Sequence, residues 1–171
     1  VRRTALQVNF KTNTGASNSK FTRLNQKVGK GLTVTMPQVP VKTGYQSLGW
    51  SKNKKASKAD YKAGQNVTIS KTLTLYAVYK KLPYTVTFNN NNGTSTSKIY
   101  TSLTMYASKN QKVTLPDVPK VKGYTNLGWT TEKGETEPEY SAGDTVKITK
   151  ATQFYAVRRK SNYYTVSYYL G

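Results

Sequence analysis

The chain repeats itself. MPQVPVKTGYQSLGW (Met36 to Trp50) returns as LPDVPKVKGYTNLGW (Leu115 to Trp129). Pro37, Pro40, Gly44, Tyr45, Leu48, Gly49 and Trp50 reappear 79 positions on as Pro116, Pro119, Gly123, Tyr124, Leu127, Gly128 and Trp129. Self-similarity at one fixed period means that one supersecondary unit is used twice, and a unit of about 80 residues is large enough for a thin core of its own.

The match extends both ways. Tyr61, Ala63 and Gly64 correspond to Tyr140, Ala142 and Gly143, and TLYAVYK (Thr74 to Lys80) to QFYAVRRK (Gln153 to Lys160). Upstream, VNFKTNTG (Val8 to Gly15) matches VTFNNNNG (Val86 to Gly93) at an offset of 78, so one residue was gained or lost. That change is expected between Phe21 and Met36. YTVSYYLG (Tyr164 to Gly171) resembles YTVTFNNNNG (Tyr84 to Gly93) and reads as the first strand of a further copy. The expected division is residues 1–82 for the first module, 83–162 for the second and 163–171 for the start of a third. Lys81, Leu82 and Pro83 form a short joint, and the whole reads as a piece of a longer protein.

Fourteen Tyr, four Phe and two Trp, with abundant Thr and Val, favour a pleated surface over helices. Val8 and Phe10 alternate with polar neighbours ahead of the Asn13 to Gly15 turn, which predicts a half-buried strand. A second strand is expected at Lys20 to Leu24 and at Lys98 to Leu103. A short helix or irregular turn fits Val28 to Thr35 and Tyr106 to Thr114. Pro37 and Pro40 lack the N–H of a ladder, so their segment is an extended connection or an edge. Strands follow at Tyr45 to Trp50, Gln65 to Ile69 and Leu73 to Tyr79, with a loop at Asn53 to Ala59. The fold class is mainly β, with four or five strands per module, or α+β if each module adds one short helix. Trp50 and Trp129 are candidate sugar-stacking platforms, but their place inside the most repeated motif makes them core residues, with Tyr45, Tyr124, Tyr76 and Tyr155.

Cysteine and histidine are absent, which removes disulfides, Cys/His and Ser/His/Asp nucleophile systems and the common zinc sites. The remaining carboxylates do not make a catalytic pair: Glu132, Glu135, Glu137 and Glu139 share one hydrophilic loop, where solvation gives no means of separating their pKa values. No catalytic residue, metal site or cofactor is expected. No run of about 20 apolar residues is present that could span a bilayer as a helix.

The net charge of +20 makes polyanions natural partners, and it is unevenly divided. Residues 1–82 hold 16 Lys and Arg against the single acid Asp60, while residues 83–171 hold 11 against six acids. The difference concentrates in one loop, SKNKKASKADYK (Ser51 to Lys62) in the first copy and TEKGETEPEY (Thr131 to Tyr140) in the second. Lys52, Lys54, Lys55, Lys58 and Lys62 are the candidate polyanion-binding residues, suited to teichoic acid, a glycosaminoglycan or extracellular DNA without selecting among them. Two other readings stay open: that the opposite-signed loops help modules or molecules recognise one another, and that both loops are simply solvated. Sequence-specific nucleic-acid reading is not expected, because the tyrosines belong to strands rather than to a basic stripe.

A module of this size with VTF near its start, a Gly/Asn turn, a Pro-containing link to GYxxLGW, then YxAG and a closing LYAVY strand resembles the Listeria–Bacteroides repeat, or internalin B-repeat, family. The resemblance covers both copies. It implies a small β-grasp-like module, strung in tandem along surface proteins of bacteria, with no catalytic residues to carry over. The first turns depart from the family pattern of an acidic residue and paired glycines, reading TNTG (Thr12 to Gly15) and NNNNG (Asn89 to Gly93), and Val157, Arg158 and Arg159 stand where the first copy has Val78, Tyr79 and Lys80. The expected role is an extracellular stalk or spacer at the bacterial cell surface or wall. The alternative is an adhesin that binds a cell-wall polymer, a glycosaminoglycan or a host surface protein. Neighbouring repeats of the chain are the other expected partners.

Overall fold

Leu6, Val8 and Phe10 alternate with polar residues along β1 (Ala5–Lys11), and that alternation turns one face of the strand to the core. Leu73, Leu75 and Ala77 do the same along β6 (Leu73–Lys81), which lies parallel beside β1 with Val8 opposite Leu73 and Lys11 opposite Tyr76. Two antiparallel neighbours flank this pair, β2 (Gln26–Gly29) against β1 and β4 (Tyr45–Ser51) against β6, so the sheet order is β2-β1-β6-β4. A separate antiparallel ribbon joins β3 (Thr33–Thr35) to β5 (Asn66–Thr68), and a single-turn helix α1 (Ser19–Thr22) follows β1.

The second copy repeats this plan. β7 (Tyr84–Asn89) and β12 (Thr152–Lys160) form its parallel pair, flanked by β8 (Met105–Ala107) and β10 (Tyr124–Thr130). Its ribbon pairs β9 (Gln111–Thr114) with β11 (Thr145–Ile148), and its helix is α2 (Lys98–Thr101). The computed structural model describes residues 5–91 and 97–162 and divides the chain into two compact units, Val1–Lys81 and Leu82–Gly171. The strand expected from Tyr164 to Gly171 lies outside the described residues. The fold is mainly β, two similar modules each built on a four-stranded sheet with one short helix.

Each core closes around its tryptophan. Trp50 and Trp129 are fully buried, and the edge of Phe10 or Phe88 meets the indole at 4.6 and 4.9 Å between centroids. An indole buried this deeply needs a partner for its N–H. Trp50 Nε1 donates to the carbonyl of Pro37 at 2.8 Å and Trp129 Nε1 to that of Pro116 at 2.7 Å. The proline segment, barred from a ladder, therefore supplies the acceptor that orients the ring.

Three sequence expectations change. Helix and strand are exchanged: Lys20 to Leu24 and Lys98 to Leu103 hold α1 and α2, while Val28 to Thr35 and Tyr106 to Thr114, expected as a short helix or irregular turn, contribute to β2, β3, β8 and β9, with β2 and β8 as the hairpin partners. In the first module Asn18 caps the turn, its side chain accepting from the Lys20 N–H at 3.0 Å, while Phe21 alone turns inward to meet Trp50 edge-on at 6.1 Å. The gained residue also lies earlier than expected. Phe10 and Phe88 are 78 apart but Phe21 and Tyr100, on equivalent helices, are 79 apart, so the insertion precedes the helix.

The tyrosines are the third change. Strand alternation that directs Leu75 and Ala77 to the core puts Tyr76 on the other sheet face, where it is half-buried, and Tyr155 follows the same rule beside Phe154 and Ala156. Tyr45 sits half-buried at the start of the outer strand β4, with the Lys42 ammonium 4.1 Å from its ring centroid. Tyr124, its counterpart, is 47 % exposed.

Candidate functional site

The lysine loop hangs from a short backbone clasp. After the bulge between Ser47 and Gly49, the Trp50 N–H donates to the Tyr61 carbonyl at 2.8 Å and the Tyr61 N–H returns a bond to the Trp50 carbonyl at 3.0 Å. Gly49 makes this possible. Its φ of +136° suits glycine, and a Cβ there would run into the Tyr61 carbonyl oxygen and come within 2.8 Å of the Ala59 Cβ. Gly128 repeats the arrangement at φ +154°, against Tyr140 and Pro138.

Asp60, the first module's single acid, is spent on the frame of the loop. Its carboxylate accepts from the Ser51 hydroxyl at 2.8 Å and the Lys52 N–H at 2.9 Å, while Ser51 Oγ accepts from the Asn53 N–H at 3.1 Å. The bond from the Lys52 N–H, then that from Ser51, holds the Asp60 carboxyl below its ordinary value. In the second module Glu139 does the same work, accepting from the Thr131 hydroxyl at 2.8 Å and its N–H at 3.2 Å, with the Glu132 N–H on Thr130 Oγ1. The two loops look unrelated in sequence, yet their frame is repeated. Asn91 adds a further tie there, donating to the Glu135 carbonyl at 2.6 Å and accepting from the Gly134 N–H at 2.9 Å.

On this frame Lys52, Lys54, Lys55, Lys58 and Lys62 are all exposed. Lys52 reaches back over Tyr61, its ammonium 5.5 Å from the ring centroid, and a hydrogen bond to the Tyr61 side chain holds its pKa above the ordinary lysine value. The Lys54 stem passes close to Gly15 and the Tyr76 ring passes beside the same glycine, so the loop lies over the sheet face opposite the core. The arrangement is a cluster of solvated ammonium groups on a pinned backbone. It can hold anionic groups by charge without selecting one shape. Exposed Glu132, Glu135 and Glu137 occupy the corresponding loop of the second module.

Sequence reasoning missed a polar node at the end of the last strand. In the first module the Tyr79 hydroxyl donates to the Pro40 carbonyl at 2.6 Å, and burial pushes that phenol's pKa up. In the second, Arg158 stands at the equivalent position and reaches the equivalent carbonyl, Pro119, through Nη2 at 2.6 Å. Its other donors go to Tyr100 Oη, Asn126 Oδ1 and Asn90 Oδ1 at 2.6, 2.9 and 3.2 Å. Tyr100 and Asn126 replace Phe21 and Ser47, so the arginine came with its acceptors.

Both copies match the Listeria–Bacteroides repeat domain, over residues 7–78 and 84–157. The chain belongs to that family. Two curated relatives from Evansella cellulosilytica carry similar sequence. One, named "Putative Gly-rich membrane protein", is 30% identical over 162 residues, covering 94% of this chain and 17% of its own length. The other, named "Putative membrane protein", is 29% identical over 131 residues, covering 76% of this chain and 18% of its own length. The tandem repeat thus spans under a fifth of the relatives it matches. No solved structure matches the chain. Within this Listeria–Bacteroides repeat pair no helix among the described residues is long and apolar enough to cross a membrane.

Proposed function

We propose that this segment is a non-catalytic, load-bearing spacer in a bacterial cell-surface protein, with its modules acting as links between domains on either side. The observation that carries this reading is the parallel pairing of the first and last strands in both modules, β1 with β6 and β7 with β12. Tension enters a module at the start of its first strand and leaves at the end of its last. Because those strands are adjacent and parallel, the load is directed along them and their hydrogen bonds must yield together in shear. The names of the two relatives agree with a place at the cell envelope. What the copies share is structural as well: the buried tryptophan, its proline acceptor and the clasp glycine recur, while the charged loops differ.

Single-molecule stretching of the full chain tests this. The expected record is two discrete unfolding events, each releasing roughly 250 Å of contour, as a module of this length requires. Smooth extension without discrete events would refute the mechanical reading.

A second reading has its own support in the five exposed lysines on the Asp60-pinned loop, which fit an anionic cell-wall polymer or glycosaminoglycan. It predicts binding of teichoic acid or heparin that weakens steeply with salt and is lost when Lys52, Lys54, Lys55 and Lys58 are changed to Glu. Absence of binding at low salt would dispose of it.

A further inference from the structure

The two modules differ in how they finish the surface beside the polar node, and the second leaves a recess there. In the first module Lys42 lies over Tyr45, 4.1 Å from its centroid, and also faces the Tyr79 ring at 5.5 Å. At the equivalent positions the second module has Val121, Tyr124 and Arg158. With the lysine cover gone, Tyr124 and Val121 are 47 % and 44 % exposed. Together with Asn90, Asn91, Ala156 and Arg158 they line a recess of about 370 Å³, within the range of small-ligand sites.

The recess combines an open aromatic face with a braced cation. Arg158 is held by four hydrogen bonds that use Nε, both Nη2 hydrogens and one Nη1 hydrogen, which leaves one Nη1 hydrogen among the described residues. A guanidinium fixed in this way meets an incoming carboxylate without first losing side-chain freedom. Register places Tyr124 opposite Lys160 and Asn126 opposite Arg158, so aromatic and cationic groups project from the same sheet face.

We propose that this recess binds one sugar unit of an acidic polysaccharide, a hexose carrying a carboxylate, with its apolar face on the Tyr124 ring and its carboxylate on Arg158. The site is separate from the lysine loop of the first module and does not depend on the spacer reading. The tyrosine fixes ring position and the arginine selects the acidic sugar over its neutral relative.

The test uses the full chain, ¹⁵N-labelled, titrated with trigalacturonate and with its methyl ester. Trigalacturonate should shift amide resonances around Tyr124, Val121 and Asn91, and the ester should bind at least about fivefold more weakly, having lost the charge-assisted contact. Tyr124→Ala should weaken binding about tenfold, the scale of one aromatic contact, while Tyr124→Phe retains it. Unchanged Trp129 resonances in the variants verify that the module remains folded. Shifts confined to the Lys52–Lys62 loop, equal binding of acid and ester, or indifference to Tyr124→Ala would each overturn the proposal.

Discussion

Replacing Gly49 by alanine puts one methyl group where the clasp has no room for it. The new Cβ would meet the Tyr61 carbonyl oxygen, which is backbone and cannot swing aside as a side chain can. Relief requires moving the Ala59 to Tyr61 segment off β4, which breaks the Trp50 N–H bond to Tyr61 and strands a donor beside a fully buried indole. Such a stranded donor costs about 1–3 kcal/mol, and the positive φ adds about 1 kcal/mol for any residue with a Cβ. The expected loss is therefore about 2–4 kcal/mol, against about 4–12 kcal/mol for a whole domain of this size. Gly64 supplies the control. It too has a positive φ, +79°, but a Cβ there would meet nothing within 4 Å, so Gly64→Ala should lose only the conformational part. One tryptophan per module makes the assay specific: urea unfolding of the 5-fluorotryptophan-labelled chain, followed by ¹⁹F NMR, reports Trp50 and Trp129 separately. With a urea slope of about 1 kcal/mol per molar, Gly49→Ala should lower the Trp50 midpoint by about 3 M or leave that module unfolded without urea. The Trp129 transition should stay in place. If Gly49→Ala shifts the midpoint no further than Gly64→Ala, the close-approach argument is wrong.

Three further outcomes are expected. Trp50→Phe should cost about 2–3 kcal/mol in calorimetric unfolding of the first module, because it removes both volume and the donor to the Pro37 carbonyl; a loss under about 1 kcal/mol would show that the indole bond contributes little. Because folding lowers the Asp60 pKa, its stabilisation is present above the unfolded carboxylate value of about 3.9 and disappears as pH falls through the lower folded value. Thermal melts between pH 5 and 2 should accordingly show a steeper acid decline for the first module than its Asp60→Asn variant does, and parallel declines would count against the frame role of Asp60. A double-mutant cycle of Tyr100→Phe with Arg158→Met should give a coupling of about 1–2 kcal/mol in chemical denaturation, with additive effects arguing that the 2.6 Å contact carries no weight.

The repeat was legible because matched positions 79 apart are held by the same packing: Trp50 and Trp129 meet Phe10 and Phe88 in the same edge-on way. Strands β1 and β6 were legible from alternation, and β4 only as the strand that resumes after the proline segment. The helix was not, since four residues with one inward aromatic give no helical period, and Phe21 between polar neighbours reads equally well as part of a strand. Placing the tyrosines in the core failed for a related reason. A tyrosine next to Leu75 in a strand must face the other way, so hydrophobic content alone misplaced Tyr76 and Tyr155. At the loop, the lysines were visible but their frame was hidden, because Asp60 and Glu139 do the same work with different side chains.

The Arg158 node bears on how such a gene can change. Recombination between copies would join the first half of one module to the second half of the other. A crossover in the loop after Trp50 brings Phe21 and Ser47 together with an arginine at the Tyr79 position, and the guanidinium then lacks the hydroxyl of Tyr100 and the amide oxygen of Asn126. The reciprocal product keeps those acceptors and loses their donor. A crossover inside a module therefore breaks the node, whereas one that falls between modules keeps each polar set whole.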